Sequence, residues 1–223
     1  MRIEWLKKNN GDRVILFFNG WGMDSRAIPQ LTGDYDVVAF WDYRRLLEAE
    51  WPDLRQYEEI YVVGWSMGVW AAANVIPLLD IAPVKLIALN GTELPVDDQY
   101  GIPVRIYELT ERGLNEKGRK KFLQRMFAEV REWECFQDKL LSRPLQEVCE
   151  ELVLIHRQSH CLQSGRQWDK IYISERDVIF PVENQQNFWN ARCPDIRILP
   201  GGHYPFCRFE NWDEILECNW LRR

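Results

Sequence analysis

The sequence predicts an α/β fold, in which helices cover both faces of a mostly parallel sheet. Short runs of apolar residues recur along the chain and are separated by turn or helix signals. Most of these runs are apolar throughout instead of alternating with polar residues, as expected of strands buried between two layers of helices. Their alternation with helical stretches favours parallel pairing, because a helix can then form each crossover.

Each predicted element follows from its local pattern. Residues 2–8 are predicted as a short first strand, and the alanine-rich segment 69–79 as a buried helix. An amphipathic helix is predicted over 183–189, ended by the segment 190–194, and a C-terminal helix over 212–220. The other predicted strands are the apolar runs 13–19, 36–40, 60–64, 84–90, 168–174 and 195–199.

One long segment, 112–167, interrupts this alternation, since it is charged, helical in pattern and without a convincing strand. Apolar residues recur at helical spacing over 114–127, and Pro144 is placed to open a further helix that reaches Ile155. Ligands bind at the carboxyl-terminal edge of open parallel sheets, so we expect this insertion to form a helical lid above that edge. The alternative is a group of helices that only packs on one face of the sheet.

Composition limits the class of protein. The chain has 223 residues, which suits a single domain over 1–223 with a substantial core. Its 46% of hydrophobic residues and 28% of charged residues fit a globular chain better than a disordered one. The net charge of −6 argues against a nucleic-acid partner, which needs clustered positive charge.

The cellular location and the state of the cysteines are predicted from sequence motifs that the chain lacks. The first residues do not resemble a signal peptide, and no run approaches the ~20 apolar residues that span a bilayer. We therefore expect a cytoplasmic protein without a membrane partner; the oligomeric state stays open, with a monomer favoured. The six cysteines lack the spacing of a zinc or redox pair, so we expect free thiols.

The strongest motif is Gly64-Trp65-Ser66-Met67-Gly68, which follows an apolar strand and opens the alanine-rich helix. In that context it predicts the sharp turn that carries the nucleophile of α/β-hydrolases. The two glycines supply the small size that the turn needs, and the helix N-terminus favours developing negative charge. The alternative, a tight turn with an incidental serine, does not account for this strand and helix. We predict the α/β-hydrolase fold with Ser66 as nucleophile.

A serine hydroxyl needs a base to take its proton. His203 follows the last predicted strand, and the glycines before it allow the loop to turn back toward Ser66, so we predict His203 as that base. His156 and His160 stand four residues apart in the predicted insertion. No carboxylate or cysteine accompanies them at ligand spacing, so no metal site is expected.

In α/β-hydrolases the acid that orients the base lies between the serine and the histidine in the chain. Asp177 lies in the loop after the predicted strand 168–174, and a proline closes that loop. We predict Asp177 as this acid, with room for one helix and one strand before His203. Glu175 on the same loop and Asp169 at the other end of the strand are rivals, and a turn-forming aspartate is the alternative.

Two backbone N–H groups are needed to stabilise the oxyanion of acyl transfer. We predict that Met67, directly after the nucleophile, supplies one of them. Trp21 is predicted to supply the other, because the run 19–22 follows the first long strand and its glycines let the backbone approach substrate. An ordinary Asn-Gly turn is the alternative. Trp21 and Trp65, which flank these motifs, are the tryptophans expected beside a bound acyl chain.

Four motifs together resemble one small bacterial family of α/β-hydrolases. They are Phe17-Phe-Asn-Gly-Trp-Gly-Met-Asp24, Gly64-Trp-Ser-Met-Gly-Val-Trp70, Leu89-Asn-Gly-Thr92 and Gly201-Gly-His-Tyr-Pro-Phe206. The family consists of the pimeloyl-acyl-carrier-protein methyl ester esterases of biotin synthesis, of the compact type called BioG. Many α/β-hydrolases have His-Gly where this chain has Asn19-Gly20, and the asparagine agrees with this subgroup. The resemblance extends over nearly the whole chain.

The resemblance implies a reaction and a partner. Such enzymes hydrolyse the methyl ester of pimeloyl-acyl-carrier protein through an acyl-enzyme, release methanol and need no cofactor. Transferring roles motif by motif gives Ser66, His203 and Asp177 as the catalytic triad, with Trp21 and Met67 as the oxyanion hole. The implied partner is the acyl carrier protein that bears the acyl group.

A basic stretch in the predicted insertion would suit that partner, since acyl carrier proteins are strongly acidic. The candidate docking residues are Lys117, Arg119, Lys120, Lys121 and Arg125. A local basic patch can steer an acidic protein even toward a chain of net negative charge. Interleaved glutamates leave the alternative of an ordinary solvated helix face.

Two other functions are compatible with the same residues. A general short-acyl carboxylesterase or thioesterase would use the same triad, because one oxyanion hole serves both esters and thioesters. A catalytically silent α/β-hydrolase that only binds a partner belongs to a different class, and the complete Ser66, His203 and Asp177 set argues against it. The reaction products, or labelling by a fluorophosphonate probe, would separate these functions.

Overall fold

A computed structural model describes residues 1–159 and 167–217 of the chain. Within them, the strands are β1 (Arg2–Lys7), β2 (Arg13–Phe18), β3 (Asp36–Trp41), β4 (Glu59–Trp65), β5 (Lys85–Leu89), β6 (Lys170–Ser174) and β7 (Ile196–Leu199). They form one sheet in the order β1-β3-β2-β4-β5-β6-β7. Only the edge pair β1 and β3 is antiparallel, and the other neighbours are parallel. The predicted mostly parallel sheet is confirmed.

Helices connect the strands. They are α1 (Met67–Val75), α2 (Val104–Gly113), α3 (Glu116–Arg125), α4 (Val130–Leu140), α5 (Leu145–Gln158), α6 (Val182–Trp189) and α7 (Trp212–Glu217). The helix predicted over 69–79 ends earlier as an α-helix and continues as the 3₁₀ turn Ile76–Leu78, where Pro77 lacks the N–H that an α-helix needs. The predicted C-terminal helix is observed to Glu217, and residues 218–220 lie outside the described part.

The helical segment between β5 and β6 is longer than the predicted insertion 112–167. Its first helix, α2, begins at Val104 directly after Pro103, so the segment starts before residue 112. The predicted helix over 114–127 corresponds to α3, and Pro144 does precede α5. Residues 160–166 of the predicted insertion lie outside the described part of the chain.

The centre of the sheet is buried on both faces. In β2, every side chain from Val14 to Phe18 is fully buried. This two-sided burial explains why the strand sequence is apolar without alternation. The carboxyl ends of β2, β4, β5, β6 and β7 share one edge of the sheet, because these strands are mutually parallel. The loops that follow them therefore meet there, as in other open α/β sheets.

In the described residues, no helix combines the length and the apolar character that crossing a membrane requires.

Candidate active site

Ser66 lies at the turn between β4 and α1. Its backbone adopts φ 58° and ψ −125°, a conformation that a residue with a side chain rarely adopts. A Cβ on Gly68 would lie 2.0 Å from the carbonyl oxygen of Phe18, and a Cβ on Gly64 would lie 2.9 Å from Val69 Cα. Both flanking positions therefore require glycine, and the packed backbone around them holds the strained serine in place.

The structure brings Ser66, His203 and Asp177 into one hydrogen-bonded line. His203 Nε2 lies 2.9 Å from Ser66 Oγ, and His203 Nδ1 lies 2.8 Å from Asp177 Oδ2. All three residues are buried. In this arrangement an imidazole can take the serine proton at Nε2 while the carboxylate holds the N–H on Nδ1.

Asp177 is held by further donors. Its Oδ1 accepts hydrogen bonds from the backbone N–H groups of Ile179 and Phe180, at 2.9 and 3.0 Å. Its Oδ2, which faces His203, also accepts one from Gln185 Nε2 at 3.1 Å. These bonds fix the orientation of the Asp177 carboxylate. The carboxylate therefore cannot rotate away from His203. Gln185, on α6, has no local sequence signal for this position.

The rival acids lie elsewhere. Glu175 is exposed, and its backbone N–H donates to Leu199 O at 2.8 Å. Asp169 precedes β6, at the opposite end of the strand from the site, and its Oδ2 accepts from the backbone N–H of Leu86 at 2.7 Å. Among the described residues, Asp177 is the carboxylate that is hydrogen-bonded to His203.

The His203 backbone is anchored by Asn90 and Trp65. Asn90 Nδ2 and Trp65 Nε1 both donate to the His203 carbonyl oxygen, each at 2.9 Å. Asn90 directly follows β5, with a positive φ of 48°, and it also bonds the backbone N–H of Ser174 through Oδ1 at 2.7 Å. Sequence reasoning assigned Asn90 no role, although a polar residue directly after a buried strand is a usable signal.

The Trp65 side chain lies in the core of the protein. It is 1% exposed, and its ring packs against Tyr204 and Phe206. A Cβ on Gly20 would approach the Trp65 ring to 3.0 Å. The expectation that Trp65 lies beside the acyl chain is therefore corrected, because the direction of β4 turns this side chain into the core.

The backbone of the 19–22 run is held by Asn19, which is fully buried. Asn19 Oδ1 accepts from the Gly20 N–H at 3.0 Å, and its Nδ2 donates to Asp24 O at 2.7 Å. Met67 begins α1, so its N–H lies beyond the reach of helical hydrogen bonding. Within residues 1–159 and 167–217, the N–H groups of Trp21 and Met67 make no hydrogen bond to the protein. An N–H group without a protein acceptor is what an oxyanion donor requires.

A narrow apolar cavity adjoins Trp21 and Met67. Side chains from α2, α3, α5 and the loops of the sheet line it, among them Ile102, Ile106, Tyr107, Phe122, Leu152 and Ile179. Arg125 also lines the cavity but is exposed, so it lies toward the solvent. The volume of the cavity is about 20 Å³, which is enough for one water molecule.

The basic residues of α3 divide into two groups. Lys117, Lys120, Lys121 and Arg125 are exposed. Arg119 is 4% exposed, and its Nη1 donates to Arg143 O at 2.7 Å. Burial lowers the pKa of Arg119. The inclusion of Arg119 in a docking surface was therefore wrong, because its guanidinium points into the protein and ties α3 to the start of α5.

The remaining candidate ligands do not form a metal centre in the described residues. His156 Nδ1 lies 3.1 Å from Glu111 Oε1, and His160 lies outside the described part. The thiols of Cys135, Cys149, Cys193 and Cys207 are free. Residues 161 and 218, the other two cysteines, are not described.

Comparison with known proteins identifies the relatives of this chain. The family model described as pimeloyl-ACP methyl esterase BioG matches residues 1–215. A malonyl-[acyl-carrier protein] O-methyltransferase of Bacteroides fragilis is 42% identical over 193 residues, which cover 86% of this chain. The chain spans only 39% of the length of that relative.

Solved structures agree with the family match. The crystal structure of BioG from Haemophilus influenzae has a TM-score of 0.87 and 33% identity, and the match covers 96% of this chain and 99% of that one. A bromoperoxidase from Bacillus anthracis has a TM-score of 0.67 at 16% identity, covering 99% of this chain and 95% of that one, and shows the shared α/β-hydrolase fold. Since the family match spans almost the whole described chain, the protein belongs to the BioG family of pimeloyl-ACP methyl esterases, a family of carboxylic ester hydrolases.

Proposed function

We propose that this chain is a serine esterase that hydrolyses the methyl ester of pimeloyl-acyl-carrier protein. The observation that carries the proposal is the hydrogen-bonded line of Ser66, His203 and Asp177 beside an apolar cavity, in a chain of the BioG family. The name of the Bacteroides fragilis relative adds support. It describes transfer of a methyl group to a carrier-bound malonyl group, which makes the kind of ester that this reaction would remove.

Acylation begins when His203 Nε2 takes the proton of Ser66 and the serine oxygen attacks the ester carbonyl carbon. The backbone N–H groups of Trp21 and Met67 stabilise the oxyanion that forms. Collapse of this intermediate expels the methoxide group, which leaves as methanol after receiving the proton from His203. Asp177 holds the imidazole and stabilises its positive charge during the transfer.

Deacylation repeats these steps with water as the nucleophile. His203 takes a proton from the water while its oxygen attacks the acyl-enzyme carbonyl. The same two N–H groups stabilise the second oxyanion. Release of Ser66, reprotonated by His203, leaves a free carboxylate at the end of the pimeloyl chain.

The lining of the cavity suits the methylene chain of this substrate, because it is mainly apolar. Its volume of about 20 Å³ is far too small for that chain, so we propose that the helices above the site move to admit it. Helices α2 and α3, which contribute Ile106 and Phe122 to the lining, would then act as a lid. Closure over bound substrate would exclude water from the oxyanion.

The decisive experiment is mass spectrometry of pimeloyl-acyl-carrier protein methyl ester after incubation with the enzyme. We expect the carrier protein to keep its acyl group and to lose one methylene unit of mass, with release of an equal amount of methanol. A thioesterase would instead release the carrier thiol, which a thiol reagent detects. Appearance of free thiol without methanol would contradict the proposal.

A second prediction concerns the carrier protein. Lys117, Lys121 and Arg125 are spaced four residues apart, so they share the face of α3 that reaches the cavity rim. We propose that this face attracts the acidic carrier protein. Reversal of Lys117 and Lys121 to glutamate should lower kcat/KM for the carrier-bound ester by ~10-fold, through weaker electrostatic attraction.

A matched control separates docking from loss of structure. Lys8→Glu with Arg55→Glu makes the same change of charge at exposed positions near the opposite edge of the sheet, and should leave turnover unchanged. Both double variants should hydrolyse p-nitrophenyl acetate normally, because this ester needs no docking. Added salt should lower the activity of the unaltered enzyme on the large substrate alone. Equal losses on both esters would indicate damage to the fold and not weaker docking, and no loss on either ester would assign the lysines to an ordinary solvated surface.

A further inference from the structure

Glu151, on α5, is a fully buried carboxylate inside the helical segment. Its Oε1 accepts a hydrogen bond from the backbone N–H of Tyr43 at 2.8 Å. Its Oε2 accepts one from the backbone N–H of Gly22 at 3.2 Å and one from Arg143 Nη1 at 2.5 Å. Gly22 directly follows Trp21, so a side chain of the helical segment holds the loop that carries a proposed oxyanion donor.

The bond to Gly22 completes the restraint of that loop. Asn19 Oδ1 holds the Gly20 N–H, and the carboxylate of α5 holds the Gly22 N–H. The Trp21 N–H belongs to the peptide between these two restrained groups. The Trp21 indole also donates to Val148 O at 2.9 Å, so α5 restrains both the side chain and the following peptide.

We propose that Glu151 is a positioning residue for ester hydrolysis, which fixes the loop so that the Trp21 N–H points to the developing oxyanion. The inference rests on the proposed hydrolysis at Ser66. A donor stabilises the transition state most when its direction is set before reaction. Gly22 has a φ of +74°, which glycine adopts without strain. The Trp21 peptide is otherwise held by a long bond from the Met23 N–H to Gly20 O, at 3.3 Å, so release of the Gly22 N–H removes one of the two restraints on its direction.

Arg143 compensates the negative charge of the buried Glu151 carboxylate. It is 3% exposed, and its Nη2 lies 3.2 Å from Asp42 Oδ1. Burial raises the pKa of Glu151, and the Arg143 charge and the Tyr43 N–H oppose that rise. Replacing a buried ion pair by apolar side chains is often neutral for stability. Asp42 keeps its ion pair with Arg44, at 2.7 Å, when Arg143 is replaced. Glu151 and Arg143 can therefore be replaced together to separate positioning from folding.

The test compares Glu151→Leu with Glu147→Leu, using p-nitrophenyl acetate as substrate. Glu147 lies one turn earlier on α5 and near the same Arg143, at 3.8 Å, but its contacts are with arginines and not with the oxyanion loop. We expect Glu151→Leu, which leaves the Gly22 N–H without its acceptor, to lower kcat by ~10-fold or more with little change in KM. Loss of one oxyanion donor costs ~10²-fold or more. Glu147→Leu should leave both constants nearly unchanged.

A trifluoromethyl ketone supplies an independent measurement, because its adduct with Ser66 carries an oxyanion. Its affinity should fall in Glu151→Leu by about the same factor as kcat/KM. If Glu151→Leu does not fold, the double variant Glu151→Leu with Arg143→Met is measured in the same way. A folded variant of either kind that keeps kcat and inhibitor affinity would overturn the inference. An unaltered enzyme that hydrolyses no ester would instead overturn the proposed function.

Discussion

Ser66→Ala and His203→Ala are each expected to lower kcat by ~10³-fold or more, because each removes part of one proton-transfer unit. Ser66 Oγ lies 2.9 Å from His203 Nε2, within direct reach for transfer. Neither side chain is large enough for its loss to open a major cavity, so the variants should remain folded. Steady-state hydrolysis of pimeloyl-acyl-carrier protein methyl ester measures the effect.

The double variant distinguishes a shared mechanism from two separate effects. When two residues act as one unit, removing both costs about as much as removing one. Ser66→Ala with His203→Ala should therefore be no slower than either single variant. A fluorophosphonate probe should label the unaltered enzyme and fail to label Ser66→Ala. Undiminished turnover by Ser66→Ala, or a double variant whose losses multiply, would refute Ser66 and His203 as one catalytic unit.

Asp177→Asn should lower kcat by ~10²-fold or more while the protein stays folded. The asparagine oxygen can still accept from the Ile179 and Phe180 N–H groups, which places its NH₂ group toward His203. Two donors would then face each other at Nδ1. The imidazole would be driven to the tautomer with the proton on Nε2, which cannot take a proton from Ser66.

Glu175→Gln is the matched control for the acid. It removes a carboxylate from the same loop, but this side chain is exposed, and Asp177 is the one that contacts His203. Its kcat should be close to that of the unaltered enzyme. A large loss of kcat in Glu175→Gln together with full activity in Asp177→Asn would show that Glu175, and not Asp177, is the acid of the triad. Thermal unfolding of both variants checks that neither effect comes from global destabilisation.

Features set by short-range pattern were predictable from the sequence. The continuous apolar runs predicted the buried strands, because burial on both faces removes the polar alternation that a half-exposed strand shows. The glycines around Ser66 predicted the tight turn, since a Cβ at either flank would collide with neighbouring backbone. The order of serine, acid and histidine, together with the position in the loop after a strand, predicted Asp177, the residue that the fold places against His203.

Other features depended on contacts between segments far apart in the chain. A charged helix pattern cannot show that Arg119 is buried while Lys120 is exposed, because the neighbouring helices decide which face packs inward. Trp65 turns into the core for the same reason. The bonds from Asn90 to His203 and from Glu151 to Gly22 span more than 100 residues of sequence.

By itself, the sequence determined the α/β class, the positions of most strands, the nucleophile turn and the family resemblance. These depend on periodicity, on glycine geometry and on residues close together in the chain. Only the tertiary structure decided how the helical segment supports the site. Trp21 is restrained because α5 brings Val148 and Glu151 against its loop. No local sequence pattern predicts the contact between α5 and the Trp21 loop, since it results from the packing of α5 against the edge of the sheet.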